Sequence, residues 1–182
     1  GHINGRDSNG FPIEIGSFGF IGGDTDAGIV GYDIDHGNYF TLEAWVYYDK
    51  DSAICTVTTK RTDYNPAYWP CVQMLITAGG DISGEYSTPG YGNYLRYTKL
   101  VDAIEPGRWN HIAFIKPGDA DSTKIIVNGY YPGGVNRTSY GTLPSDGGVA
   151  VENSSLSYEI GRTQDGSNYS SEMDGKIANV RW

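Results

Sequence analysis

The chain has 182 residues and a formal net charge of −9, with 26 glycines, 15 tyrosines and 13% aromatic residues. A chain of this length is long enough to form one domain with its own core, and its negative charge excludes the usual electrostatic attraction to nucleic acid. No apolar run reaches the length of a membrane-spanning helix, and no segment sustains a helical repeat. We therefore expect no membrane insertion and a soluble, all-β domain of short strands joined by glycine-rich turns.

The N-terminal residues are polar and rich in glycine, apart from an alternating apolar set. That set is Phe11, Ile13 and Ile15. We expect residues 1–16 to be a tag, a linker or an edge strand, and the folded domain to cover residues 17–182. The sequence does not begin with Met and has no targeting segment, so we expect it to be part of a longer protein.

An acidic segment follows the first predicted strand, Phe18–Ile21, and surrounds a second, Ile29–Val30. Its four aspartates are Asp24, Asp26, Asp33 and Asp35. Carboxylate oxygens are ligands that Ca²⁺ prefers, although the spacing does not fit an EF-hand loop. Aspartate and glycine also build tight turns without a metal. A structural Ca²⁺ site and a plain turn therefore both remain open.

The clearest predicted strand is FTLEAWVYY, over residues 40–48. Its side chains alternate, so one face is apolar and consists of Phe40, Leu42, Ala44 and Val46. The other face is mixed and contains Glu43 and Trp45. Such a face is suited to the floor of a sugar-binding groove, but a tryptophan in the middle of a strand is more often buried. We therefore expect Trp45 to pack under a loop.

The two cysteines lie in the next two predicted strands, over residues 53–59 and 69–76. A hairpin centred on Asp63 places Cys55 and Cys71 opposite each other on one face, where a disulfide is geometrically possible. Two buried, reduced thiols are the alternative. Without nearby histidines, two cysteines are too few for a structural zinc site.

Two connecting segments combine aromatic side chains with hydrogen-bonding groups. They are KRTDYNPAYWP, after the strand with Cys55, and TPGYGNYLRY, after a predicted strand over residues 82–87. Aromatic rings stack on the apolar face of a pyranose, and Arg and Asn bind its hydroxyls. We predict a glycan-binding site where the two segments lie side by side, which the sequence leaves open. Its residues are Tyr64, Tyr68, Trp69, Tyr91, Asn93, Tyr94 and Arg96.

The sequence GRWNHIAFIK predicts a strand over residues 109–116, and Lys124–Val127 forms a second strand that ends in the turn signal Asn128-Gly129. Trp109 and His111 lie on one face of the first strand, and Ile112 and Phe114 lie on the other. Further strands are predicted over residues 130–142, 147–151, 157–161 and 176–182.

Six motifs occur in the order FTLEAWVYY, ITAGGDI, PGRWNHIAFI, KIIVNG, YEIGR and MDGKIANVRW. In order and approximate spacing they resemble laminin G-like domains of the concanavalin A-like lectin and glucanase superfamily, over residues 18 to 182. The resemblance implies a jelly-roll sandwich of two antiparallel sheets that binds glycans or proteins on a concave face or at rim loops, often with Ca²⁺. It also implies that Trp45, Trp109 and His111 serve the fold, and it suggests a metal role for Asp26.

The acidic residues argue against catalysis. Glycoside hydrolysis generally needs two carboxyls about 5 to 10 Å apart. Hydrolases of this superfamily place theirs along one strand, whereas Glu43 is the only acidic residue of the strand over residues 40–48. No serine-hydrolase, zinc-protease or P-loop motif occurs. We therefore expect no enzyme activity.

The leading hypothesis is a non-catalytic, lectin-like attachment module of a larger extracellular or virion-surface protein, with a glycan or polysaccharide as its partner. Phage tail appendages share this composition. The alternative is a structural or protein-interaction module, in which the aromatic side chains pack on partner subunits of a virion or cell-surface assembly. A polysaccharide hydrolase or lyase ranks third.

Overall fold

The computed structural model describes residues 18–20, 28–30, 39–49, 54–61, 70–77, 79–87, 95–117, 123–131, 136–140, 158–165, 168–170 and 173–181. These ranges contain β-strands and no helix. The strands are β1 Phe18–Phe20, β2 Gly28–Val30, β3 Phe40–Tyr48, β4 Ile54–Arg61, β5 Pro70–Thr77, β6 Asp81–Ser87, β7 Leu95–Leu100, β8 Trp109–Lys116, β9 Lys124–Val127, β10 Asn136–Tyr140, β11 Tyr158–Ile160, β12 Thr163–Asp165, β13 Asn168–Ser170 and β14 Gly175–Arg181. The described residues include no helix long and apolar enough to cross a membrane.

The strands form two large antiparallel sheets and one small hairpin. The five-stranded sheet has the order β1-β14-β3-β8-β9, and the seven-stranded sheet has the order β10-β7-β6-β5-β4-β11-β2. Strands β12 and β13 pair only with each other. The predicted all-β, two-sheet antiparallel sandwich is confirmed.

The inner faces of the two sheets share one apolar core. In β3 the burial pattern alternates as the sequence predicts, and the inward side chains are Phe40, Leu42, Ala44, Val46 and Tyr48. They meet the inward side chains of the seven-stranded sheet, among them Met74 and Ile82, which are fully buried. Burying an aliphatic or aromatic side chain of this size contributes about 1.5–3 kcal/mol. The core therefore holds the two sheets together.

The core is tightest where Phe114 of β8 meets Gly84 of β6. A Cβ built on Gly84 would lie 2.4 Å from the Cγ and Cδ2 atoms of Phe114. The Phe114 ring is held edge-on by Phe40, with the centroids 5.4 Å apart. Glycine is required here because the ring occupies the space of a side chain. Since Ser83 and Glu85 flank Gly84, this contact also fixes side chains on the opposite face of the sheet.

Two turns rely on left-handed backbone conformations. Gly79 and Gly80 join β5 to β6 with φ of +87° and +85°, as the predicted turn requires. Asn128 and Gly129 follow β9 with φ of 50° and 77°. The Asn128 side chain also ties this turn to β8, because its Oδ1 accepts the backbone N–H of His111 at 2.9 Å.

The suggested disulfide between Cys55 and Cys71 is wrong. Cys55 pairs with Ile76 at one end of the β4–β5 ladder, whereas Cys71 lies at the other end, beside a β-bulge next to Arg61. Both cysteines are buried and neither is in a disulfide. Strand β4 continues to Arg61, so the hairpin is not centred on Asp63. A register shift of a few residues is enough to separate two cross-strand partners.

Three other expectations concern the second half of the chain. Residues 163–170, for which no strand was predicted, contain the hairpin of β12 and β13. Its signal in the sequence was the dipeptide Gly166-Ser167, between the paired Asp165 and Asn168. The strand expected over 130–142 is described only as β10, with Tyr130 bridging to Val127. The strand expected over 147–151, like the N-terminal segment 1–16, lies outside the described residues.

Candidate functional site

The residues predicted for sugar and metal binding lie almost entirely outside the described part of the chain. This applies to Tyr64, Tyr68, Trp69, Tyr91, Asn93 and Tyr94, and to Asp24, Asp26, Asp33 and Asp35. Arg96 lies in β7, where it pairs with Tyr86 of β6. Within the described residues, no group of three or more His, Cys, Asp or Glu is placed to hold a metal ion.

The strand ends from which the two aromatic segments leave lie at the same end of the seven-stranded sheet. Strands β4, β5, β6 and β7 are consecutive antiparallel neighbours. Arg61 pairs with Pro70 where the first connection leaves, and Ser87 pairs with Leu95 where the second leaves. Because alternate connections of an antiparallel sheet lie at the same end, both segments start there. That the two segments lie side by side stays a prediction.

A row of polar side chains crosses the outer face of the same sheet, close to that end. Thr59 pairs with Gln73, and Gln73 pairs with Glu85. The amide nitrogen of Gln73 donates a hydrogen bond to Oε2 of Glu85, and the hydroxyl of Thr59 lies 3.5 Å from Oε1 of Gln73. We call Thr59, Gln73 and Glu85 the polar row. Its hydrogen bonds fix the orientations of an amide and a carboxylate on the face of the sheet.

The environment of Glu85 changes its acidity. Burial raises the pKa of this carboxyl above its usual value of 4.5, although hydrogen bonds from Gln73 and from Ser83 oppose the shift. The Ser83 hydroxyl donates to Oε1 of Glu85 at 3.0 Å. Partly buried carboxyls of this kind are frequent at binding and catalytic sites.

The described carboxylates of this face are not spaced for glycoside hydrolysis. Glu159 lies three strands from Glu85 along the row, which is about 14 Å between the backbones. Asp81 lies four residues before Glu85 in the same strand, about 13 Å away. A pair of catalytic carboxyls requires about 5 to 9.5 Å.

Asp81 has a structural role. Its Oδ2 lies 2.7 Å from Nζ of Lys99, and its Oδ1 accepts the backbone N–H of Asp102 at 2.8 Å. Burial would raise the pKa of Asp81, but these two contacts and a hydrogen bond from Thr77 outweigh it and hold the pKa below the usual 3.8. The carboxylate thereby ties the β5–β6 turn to the end of β7.

A second candidate surface lies on the outer face of the five-stranded sheet. Trp45 is 41% exposed there, so the prediction that it packs under a loop is wrong. Its cross-strand neighbours are Ala178 of β14 and His111 of β8, and alanine is too small to cover an indole. Trp109 is 39% exposed on the same face and pairs with Tyr47. We call Trp45, Tyr47, Trp109 and His111 the ring face.

The rings and charges of the ring face are in mutual contact. The Tyr47 and Trp109 rings meet edge-on with centroids 5.9 Å apart, and those of Trp45 and His111 are 5.3 Å apart. Glu43 joins them, with Oε2 3.4 Å from Nε2 of His111. Its Oε1 lies 3.2 Å from Nη1 of Arg181. The resemblance implied that Trp45, Trp109 and His111 serve the fold, but their rings contribute to an exposed surface.

The sequence alone predicts some features of the polar row and of the ring face. Gln73 and Glu85 alternate with apolar residues in PCVQMLIT and DISGEYS, which places each on an outer face. Their pairing depends on the β5–β6 register, which alternation alone does not give. For the ring face, alternation in β3 predicts the mixed face that contains Trp45. It does not predict that Ala178 of β14 lies beside Trp45, because this depends on the pairing of the two strands.

Two antiparallel sheets packed over a shared core place the protein in the β-sandwich class. The family comparison is more specific. The laminin G family model, described as the Concanavalin A-like lectin/glucanases superfamily, matches residues 22–182, and the chain belongs to this family. The resemblance found in the sequence is confirmed. A search of curated proteins finds no match.

Solved structures show the same fold at low sequence identity. Domains LG4-5 of the mouse laminin alpha1 chain match with a TM-score of 0.56 and 11% identity, covering 91% of this chain and 40% of that one. The CBM40 of the Ruminococcus gnavus IT-sialidase, bound to alpha2,3 sialyllactose, matches with 0.54 and 11%, covering 92% and 91%. The leech intramolecular trans-sialidase matches with 0.58 and 15%, covering 92% of this chain and 25% of that one.

Proposed function

We propose that the protein is a non-catalytic, carbohydrate-binding, lectin-like module that holds its glycan at the aromatic end of the seven-stranded sheet. The observation that carries this proposal is the strand order, which starts both aromatic segments at the same end of the sheet as the polar row. Stacking rings and fixed hydrogen-bonding groups are the two components of a sugar-binding site.

In the proposed site, aromatic rings and hydrogen-bonding side chains make different contacts with the sugar. The rings of Tyr64, Tyr68, Trp69, Tyr91 and Tyr94 stack on sugar faces, while Asn93, Gln73 and Glu85 bind hydroxyls. Arg96 pairs with Tyr86, which lies in the core, so its register position is not on the face of Gln73 and Glu85. The Gln73–Glu85 hydrogen bond orients both of those side chains before the ligand arrives, which lowers the entropic cost of binding.

The structural comparisons support binding as the function. The similar CBM40 structure is bound to alpha2,3 sialyllactose, and this chain spans 91% of its length. The absence of a matched pair among the described carboxylates of the site favours binding without turnover. A binding module of this kind acts in a larger protein that works outside the cell or on a virion surface. Protein subunits of such an assembly are further partners in this proposal.

We also propose a structural Ca²⁺ bound by Asp24, Asp26, Asp33 and Asp35, since carboxylates are hard ligands suited to this ion. Ligand binding to the folded state alone raises the melting temperature. The melting temperature is therefore expected to be higher in millimolar calcium than in EDTA. Equal values would exclude a tight stabilising site at these aspartates.

Glycan binding by single-site variants tests the proposed function. The wild type is screened on a glycan array, and its best ligand is titrated against Trp69→Ala, Tyr94→Ala and Gln73→Ala. Loss of a stacking ring is expected to weaken binding by about tenfold. Val101→Ser is a suitable control, because Val101 is 52% exposed in a turn away from the site. Unchanged affinity in all three site variants would refute this location.

A further inference from the structure

The ring face differs from the polar row in its chemistry and lies on the opposite sheet. Its two indole rings are exposed, and its rings form two contacting pairs across β3 and β8. Exposed clusters of large aromatic side chains on a soluble domain mark sites of interaction. The proposed glycan site does not use this face.

The charge of this face is opposite to that of the whole chain. The outward residues of β14, β3, β8 and β9 include three Lys or Arg residues, Lys124, Lys176 and Arg181, and one carboxylate, Glu43. The chain as a whole has 13 Lys and Arg against 22 Asp and Glu. Two more carboxylates, Asp49 and Asp174, lie just beyond the Tyr47 end of the strands. The outward residues of these four strands therefore carry a small positive excess, in contrast to the chain as a whole.

Glu43 offsets part of this positive charge, because its carboxylate pairs with Arg181. It is shared between Arg181 and His111, and its side chain is only 24% exposed. The Arg181 side chain is 59% exposed, and a guanidinium carries five N–H donors in a planar fork that matches a carboxylate. The Lys176 ammonium lies over the Tyr47 ring, 5.2 Å from its centroid, and adds a second cation to this face.

We propose that the ring face is a second binding site, specific for polysaccharide chains that carry uronic acid carboxylates. A sugar ring stacks on Trp45 or Trp109, and its carboxylate pairs with Arg181 or Lys176. The Debye length at physiological ionic strength is about 8 Å, so a bound chain experiences these cations more than the acidic surface elsewhere. A second copy of the chain is a poorer occupant, because a symmetric contact would bring together two faces with the same positive excess.

Affinity gel electrophoresis tests this proposal, with polygalacturonate, dextran sulfate or neutral dextran in the gel. The wild type is expected to be retarded by polygalacturonate and not by dextran. Trp45→Ala and Arg181→Gln are each expected to weaken the retardation by about tenfold. Ile54→Ala, at a 42% exposed position on the other sheet, and Gln73→Ala are expected to leave it unchanged. Melting temperatures establish that every variant is folded.

The proposed function and this inference fail independently. Retardation by polygalacturonate that survives Gln73→Ala and Trp69→Ala supports the ring face even if the array finds no ligand for the other site. The inference is overturned by no retardation in polygalacturonate, by equal retardation in dextran, or by retardation in dextran sulfate alone. It is also overturned if both ring-face variants bind as the wild type, or if Trp45→Ala instead abolishes a concentration-dependent self-association.

Discussion

Replacing Gly84 with alanine should destabilise the protein through a steric clash with Phe114. The new Cβ would lie 2.4 Å from the ring, about 1 Å inside an ordinary contact. The ring is fully buried and held by Phe40 and Tyr86, with centroids 5.4 and 6.5 Å away, so it has little room to move. Overpacking of this kind costs about 1–3 kcal/mol, and we expect the upper half of that range. For a chain of this length that is a loss of about 5–10 °C in melting temperature.

Urea and thermal unfolding of a small set of variants separate the clash from other effects. Gly79→Ala is the control for backbone strain, since its Cβ would meet nothing within 4 Å although its φ is +87°, and it should cost about 1 kcal/mol. The double variant Gly84→Ala with Phe114→Leu should cost less than the sum of the two single variants, because leucine vacates the space. Additive costs, or a Gly84→Ala cost below about 0.5 kcal/mol, would refute the close approach of the sheets here.

Three further predictions concern acidity and thiols. Glu85→Gln should raise the stability of the protein at pH 7. Because the pKa of Glu85 is raised in the folded state, the wild type loses stability as the pH rises above 4.5. The variant should lack this loss when urea unfolding is measured as a function of pH. Asp81→Asn should lower the stability of the protein at pH 7 by about 1 kcal/mol. The lowered pKa of Asp81 contributes stability above pH 3.8, and this contribution is lost as the pH falls through the folded-state pKa. The stabilities of the two proteins should therefore converge in strong acid. Cys55 and Cys71 should resist a thiol reagent in the native state and both react in urea without reductant.

Each of these has a contrary outcome. A Glu85→Gln variant that is less stable than the wild type at pH 7 would mean that the carboxylate is stabilised by its partners. An Asp81→Asn difference that persists unchanged in acid would assign the effect to packing and not to charge. Fewer than two reactive thiols in urea would show a bond between the cysteines.

Alternation and turn signals predicted most of the fold. Strands β3 and β8 have the predicted inward faces, and Asn128-Gly129 and Gly79-Gly80 have the left-handed conformations that their residue types favour. These features depend on neighbours in sequence, so they are visible in the sequence itself. The hairpin of β12 and β13 had the same kind of signal.

Features that depend on neighbours in space could not be predicted. The register of β4 against β5 decides whether Cys55 and Cys71 meet, and a shift of a few residues separated them. The exposure of Trp45 depends on Ala178, which lies far away in the chain and beside it in the sheet. The Gln73–Glu85 contact likewise required the β5–β6 register.

The central claim is that the protein binds a carbohydrate without changing it, and one experiment tests both halves. The wild-type protein is incubated with a glycan array and with soluble polysaccharides, with and without calcium, and the bound and released sugars are measured by mass. We predict saturable binding to at least one class of glycan and recovery of that glycan at its original mass. Failure to bind any glycan under either condition, or recovery of shortened products, would contradict this account.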